Sequence, residues 1–201
     1  MTAEARSVIA ELDGVLQKAS SSRQAAILQQ LTDLFLASAG QFSADQVAIF
    51  DDMIIRLIET TEKPALAQLS MRLTPVGNAP AKVVARLSRD DDIAVSGPLL
   101  EKSGALADQL LAEIAGAKGQ KQMMAIAARA ELSELVTDIL VERGGPDVAR
   151  LLAANVGARL SELGFVKLIN KAKGDKTLAT TIASRTDVPS ELEPFLKLAL
   201  G

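Results

Sequence analysis

The 201-residue chain contains no cysteine, histidine, tyrosine or tryptophan, and only five phenylalanines. Each absence removes a class of chemistry. Without cysteine there is no disulfide, no thiolate nucleophile and no thiolate-ligated zinc or iron–sulfur centre. Without histidine the commonest general base and the commonest metal ligand are gone. Large β-sheets draw on aromatic and β-branched residues, and an aromatic share of 2% gives them little. No long apolar run exists: the longest stretch of this kind, Met123 to Ala128, falls far short of the ~18 residues that a membrane span requires. The start, Met1-Thr-Ala-Glu-Ala-Arg6, lacks the basic and apolar regions of a signal peptide. These features predict a cytoplasmic protein without cofactor, metal or membrane contact.

What the chain has in quantity is alanine and leucine, close to a third of its residues. Both lead the helix scale, so the sequence predicts an all-α fold. Lys+Arg number 22 against 25 Asp+Glu, a net charge of −3. Nucleic-acid modules carry a basic excess, so this balance counts against one. The charges alternate in sign, as on solvated helix surfaces.

Residues 1–62 read as a three-helix bundle. Val8, Ile9, Leu12, Val15 and Leu16 mark one apolar face, and Ile27, Leu28, Leu31, Leu34 and Phe35 a second. Ser43, with Gln46 at the capping-box position, opens a third helix whose face includes Val47, Phe50, Met53, Ile54, Leu57 and Ile58. Ile55 adds an apolar residue off that face, which suits a homodimer formed through the third helix. Asp51-Asp52 reads as a solvated face of that helix.

The texture changes at Lys63-Pro64. Turn signals then fall near Gly77, Asp90, Ser103, Gly116, Arg129, Arg143-Gly144 and Asn155, at steps of about 13 residues. Each step leaves room for a helix of ~15 Å, so a two-helix hairpin recurs every ~26 residues. The corners share a spelling: polar residue, two others, aliphatic residue, then a cap, as in Arg129-Ala-Glu-Leu132-Ser and Arg185-Thr-Asp-Val188-Pro. Asn155-Val-Gly-Ala-Arg-Leu160-Ser161 is the same with an insertion. The polar residue ends one helix, the aliphatic residue staples the corner, and the cap starts the next helix. Residues 63–201 are therefore expected to form a HEAT-like right-handed α-solenoid of short helix pairs, continuing the bundle. Pro98 falls inside this pattern, in a helix expected to begin near Ile93 with a local break.

Several stretches, in order, resemble a bacterial family, domain of unknown function 2336. They are Leu31-Thr-Asp-Leu-Phe-Leu36, Phe50-Asp-Asp-Met-Ile-Ile-Arg-Leu57, Asn78-Ala-Pro80, Asp90-Asp-Asp-Ile-Ala-Val-Ser-Gly-Pro-Leu-Leu100, Ala125-Ile126 through Arg129, Leu135 to Gly144, Asn155-Val-Gly-Ala158 with Ser161, and Arg185 to Pro189. The resemblance implies an all-helical, repeat-like fold and brings no activity with it. The family usually has a histidine where this chain has Gln122, so no role for an imidazole carries over.

No set of residues spells catalysis. Asp90-Asp91-Asp92 is a dense carboxylate cluster, but it lacks the EF-hand spacing and reads as a helix start. Gly174-Asp-Lys176-Thr177 fails the phosphate-loop pattern, because Asp175 splits the Gly-Lys pair. Lys118 and Lys121, in a glycine-containing turn, form a candidate anion site. Arg129, Asn155 and Arg185 occupy equivalent corners. They predict either a ladder bonding each hairpin to its neighbour, with Glu131, Asp138 and Asp187 as partners, or a row gripping an acidic protein segment. The expected function is a non-enzymatic protein-interaction or regulatory scaffold with an unidentified protein partner. A nucleic-acid-binding repeat protein and a carboxylate-dependent hydrolase are the alternatives.

Overall fold

The computed structural model describes residues 20–200. The expected helix around Val8 to Leu16 lies outside them. The described residues form twelve α-helices and no strand, as the alanine- and leucine-rich composition predicts. They fall into two compact units, one ending at Leu106 and one starting at Ala107. The change of texture at Lys63-Pro64 lies inside the first.

In the first unit, α1 (Ser21–Ser38) leads through a 3-10 turn, Ala39–Gln41, into α2 (Ala44–Ile58). Shorter helices follow: α3 (Lys63–Leu73), α4 (Ala81–Ser88) and α5 (Ile93–Lys102). The Ser43–Gln46 capping box forms in both directions, at 3.3 and 2.9 Å. Phe35, Phe42 and Phe50 gather with ring centroids 5.1–5.9 Å apart. Leu28, Phe35, Ile54, Leu57 and Ile58 are buried as their spacing predicts. Leu34, counted on the same stripe, is 61% exposed: the face that α1 buries, through Gln24, Leu28, Thr32 and Phe35, is narrower than the hydrophobic pattern.

Two expectations are corrected here. The helix starting at Ile93 runs through Pro98 to Lys102 without the expected break. Val95, Leu99 and Leu100 are fully buried, and their packing outweighs the one backbone donor that proline lacks. Asp51 is not on a solvated face. It is buried, and its two oxygens accept 2.9 Å hydrogen bonds from the backbone N–H groups of Lys82 and Val83, in the first turn of α4. A carboxylate there meets orphan donors and the positive end of the helix dipole together.

In the second unit, α6 (Asp108–Ala117), α8 (Glu134–Arg143) and α10 (Glu162–Lys171) pack in succession, α6 on α8 and α8 on α10. The intervening α7 (Gln120–Ala127), α9 (Pro146–Ala154) and α11 (Lys176–Ala183) do the same, α7 on α9 and α9 on α11. A 3-10 turn, Ser190–Leu192, leads into α12 (Glu193–Leu200), which packs on α10 and α11. The turns fall close to their expected places, with the one assigned to Gly116 shifted to Lys118-Gly119. Leu132 and Leu160 are buried at their corners, as stapling residues should be.

Candidate functional site

The corner residues singled out in the sequence meet along one edge of the second unit. The Asn155 side-chain amide donates to the carbonyls of Ala127, at 3.0 Å, and Arg129, at 2.7 Å, just past the end of α7. Its oxygen accepts the Gly157 N–H at 3.0 Å, which fixes the turn. Arg185 then reaches back to the Asn155 corner. Nη1 donates to the Asn155 carbonyl at 2.7 Å and, at longer range, to those of Leu152 and Ala153. Nη2 donates to the Ala158 carbonyl at 2.9 Å. The same guanidinium forks onto Asp187 at 2.8 and 2.7 Å and lies 5.7 Å above the Phe165 ring. Its side chain is only 3% exposed.

The three corners are thus joined through backbone carbonyls. Of the expected acidic partners, Asp187 pairs with Arg185, whereas Asp138 accepts instead from the Ser161 hydroxyl at 2.6 Å. Arg129 is half-buried. Burial pulls its guanidinium below the ordinary value, and the Asp108 carboxylate opposes that shift.

The backbone tightens the same edge. Leu132 and Ala158 form an isolated parallel bridge: the Leu132 N–H donates to the Gly157 carbonyl at 3.1 Å, and the Arg159 N–H to the Leu132 carbonyl at 3.0 Å. A Cβ on Gly157 would lie 1.9 Å from the Ala130 carbonyl oxygen, so only glycine fits.

A second set of bonds, not foreseen from the sequence, ties other helix ends together. Arg143 donates to the Ala115 carbonyl near the end of α6. Lys171 donates to the Gly144 carbonyl at the end of α8, at 3.0 Å. Gln120 accepts the Gly145 N–H at 2.7 Å and donates to the Arg143 carbonyl at 3.2 Å. The only sequence signal for them is the hairpin repeat of ~26 residues, which these donor–acceptor separations of 23 to 28 residues match.

Lys118 stands in the turn between α6 and α7, and Lys121 is exposed in the first turn of α7. Gln120, between them, spends its side chain on the next connection, which makes this segment a structural joint. Gln122 is buried on α7. The Asp90 cluster is a helix start: Asp92 caps Ala94 N–H at 2.9 Å, and buried Asp90 accepts from Lys63 Nζ at 2.5 Å and from Asp92 N–H at 2.9 Å. Burial pushes the Asp90 carboxyl up. The Lys63 and Asp92 hydrogen bonds and the Lys63 and Arg86 charges outweigh it and hold the group below its ordinary value. Among the described residues no three acidic side chains gather as a metal site.

Several large apolar side chains stand in solvent. Leu135 and Leu163, both second residues of their helices, are 48% and 59% exposed on adjacent α8 and α10. Each ends a Ser-Glu-Leu tripeptide, at 133–135 and 161–163, and the third copy, at 190–192, ends on the buried Leu192. Phe195 and Leu198 on α12 are 60% and 80% exposed. Ile55 is half-buried on α2. Among the described residues no helix is long and apolar enough to cross a membrane.

No curated protein and no solved structure matches this chain. One family model does match, over residues 95–193: that of an uncharacterised protein conserved in bacteria (DUF2336), which shows over that stretch the family the sequence resembles.

Proposed function

We propose that the chain is a non-enzymatic protein-interaction module of the cytoplasm, and that its second unit is a HEAT-like right-handed α-solenoid. One observation carries the reading: the corner donors are committed to the protein's own carbonyls while Leu135, Leu163, Phe195 and Leu198 face solvent. Side chains that would serve chemistry hold the fold together, and side chains that would serve packing lie outside. Phe195 and Leu198 share the wall of one groove, and exposed apolar surface gathered in this way is a mark of association. The alternation of helix packing, α6–α8–α10 beside α7–α9–α11, supports the solenoid, since stacked hairpins present long surfaces to protein partners. The carboxylates of Asp51, Asp90, Asp138 and Asp175 each have a structural partner, which favours binding over hydrolysis.

The test is affinity capture from a bacterial lysate with the full chain as bait, followed by titration of the purified pair. A partner recovered near 1:1, and released by Leu135→Ser with Leu163→Ser or by Phe195→Ser with Leu198→Ser, is the expected result. Recovery of nothing above an unrelated bait overturns the reading.

A further inference from the structure

The end of the second unit carries two hollows that share one residue. The first is a groove of about 480 Å³ between α10 and α12, walled mainly by Val166, Ile169, Leu192, Phe195 and Leu198. Its polar lining is one amide, Asn170, and one ammonium, Lys173. The second hollow, about 630 Å³, lies where α9, α10 and α11 meet, and Lys173 lines it too. There Arg150, Lys171, Lys173 and Lys176 stand against a single lining carboxylate, Asp175.

The cations are not equivalent. Arg150 is engaged by Asp175 at 2.8 Å and by Asp147 at 3.1 Å. Lys171 gives a hydrogen bond to the Gly144 carbonyl. Lys173 and Lys176 are exposed and form no ion pair among the described residues; Lys173 precedes Gly174 in the turn, and Lys176 opens α11. An apolar trough therefore runs into uncompensated positive charge, with Lys173 at the junction.

We propose that this composite surface docks an amphipathic protein segment whose apolar residues fill the α10–α12 groove and whose carboxylates, next along the segment, meet Lys173 and Lys176. The proposal rests on the interaction reading above and names the partner's chemistry. The groove takes large side chains at i, i+3 and i+4 of a helix, the usual mode for a hydrophobic trough. The ammonium groups choose acidic segments over basic ones, because an opposed charge steers and fixes the register while a like charge repels. A polyphosphate backbone would satisfy the charges but leave Phe195 and Leu198 bare, so a protein segment fits the whole surface better than a nucleic acid does.

The experiment is selection of a displayed library of random 16-residue peptides against the full chain, with anisotropy titration of the winners. Enriched peptides should carry two or more large apolar residues at helical spacing followed by two or more carboxylates. Lys173→Glu with Lys176→Glu should weaken them at least tenfold, and Phe195→Ser with Leu198→Ser likewise. Lys176→Glu suits the dipole at the start of α11 and Lys173→Glu opposes it just past the end of α10, both at exposed positions, so the charge variant should stay folded, with an unchanged far-ultraviolet circular dichroism spectrum at the titration temperature. Winners without acidic residues, winners the charge variant still binds, or no winners at all would overturn the proposal. So would a 20-base-pair DNA that binds in low salt and is lost with the charge variant. A lysate partner that both variants still capture refutes this docking site and leaves the interaction reading standing; the absence of any lysate partner refutes that reading.

Discussion

The two units meet the same problem with a different balance of side chains. Every α-helix leaves N–H groups unmet at its start and carbonyls unmet at its finish. The first unit brings acceptors to helix starts: Asp51 caps α4 from across the unit, Asp92 caps α5, and Asp90 steadies the turn before it. The second unit also caps starts locally, Ser161 on α10 and Asp175 on α11, and adds donors at helix finishes: Asn155, Arg185, Arg143 and Lys171 each reach the end of an earlier helix. Side-chain length accounts for part of the difference. A carboxylate on a short stem can only cap a helix that lands on it, as α4 lands on Asp51. Arginine and lysine span the gap between successive hairpins, so one device can serve at corner after corner. The first unit adds an aromatic cluster, Phe35, Phe42 and Phe50. In the second, Phe165 lies beneath a guanidinium and Phe195 faces solvent.

Substitutions can break this contrast, and urea unfolding with amide exchange read unit by unit would measure them. Gly157→Ala should be the most damaging, costing about 3 kcal/mol or more, because its Cβ would collide with the Ala130 carbonyl, a backbone atom that cannot swing away. Arg185→Met should cost about 3 kcal/mol, since it strands several carbonyls and the Asp187 carboxylate, and Arg185→Lys should recover little because an ammonium cannot fork. Loss confined to the first unit's amides in either variant would refute the corner ladder. Asp51→Ala should cost about 2 kcal/mol, with early exchange in α4.

Acid sharpens the comparison further. Asp90 titrates below the ordinary carboxylate value, so the folded state binds this proton less readily than the unfolded chain does. Its stabilising contribution is full above that ordinary value, near 3.8, and fades as the pH falls through the lower folded value. Wild type should therefore lose more stability than Asp90→Asn between about pH 5 and pH 2; parallel curves would sink the idea. The smallest effect is a gain. The buried Ser70 and Ser88 hydroxyls bond to nothing among the described residues, so Ser88→Ala should stabilise by about 0.5–1 kcal/mol.

Local signals proved readable where the cause is local. The Ser43–Gln46 capping box lies within four residues and forms as spelled. The corners at Arg129, Asn155 and Arg185 are set by turn chemistry and by a stapling aliphatic residue, both visible in the chain. Asp51 misled because helical periodicity reports only which way a residue points, never which helix will arrive there. Leu34 misled in the reverse sense: its stripe is apolar, yet α1 buries only part of it. The second donor set, Arg143 and Lys171, escaped notice because long side chains reach carbonyls that no motif records.

Composition and spacing settled that this chain is helical, poor in catalytic groups and punctuated at nearly even steps, since helix propensity and turn geometry act over a few residues. Which carbonyl each arginine meets, which leucines stay wet, and how Lys173 comes to join an apolar trough to a basic hollow depend on residues 20 to 40 positions apart. Distances of that kind are set by packing, and a linear pattern holds no record of them until the helices have closed on one another.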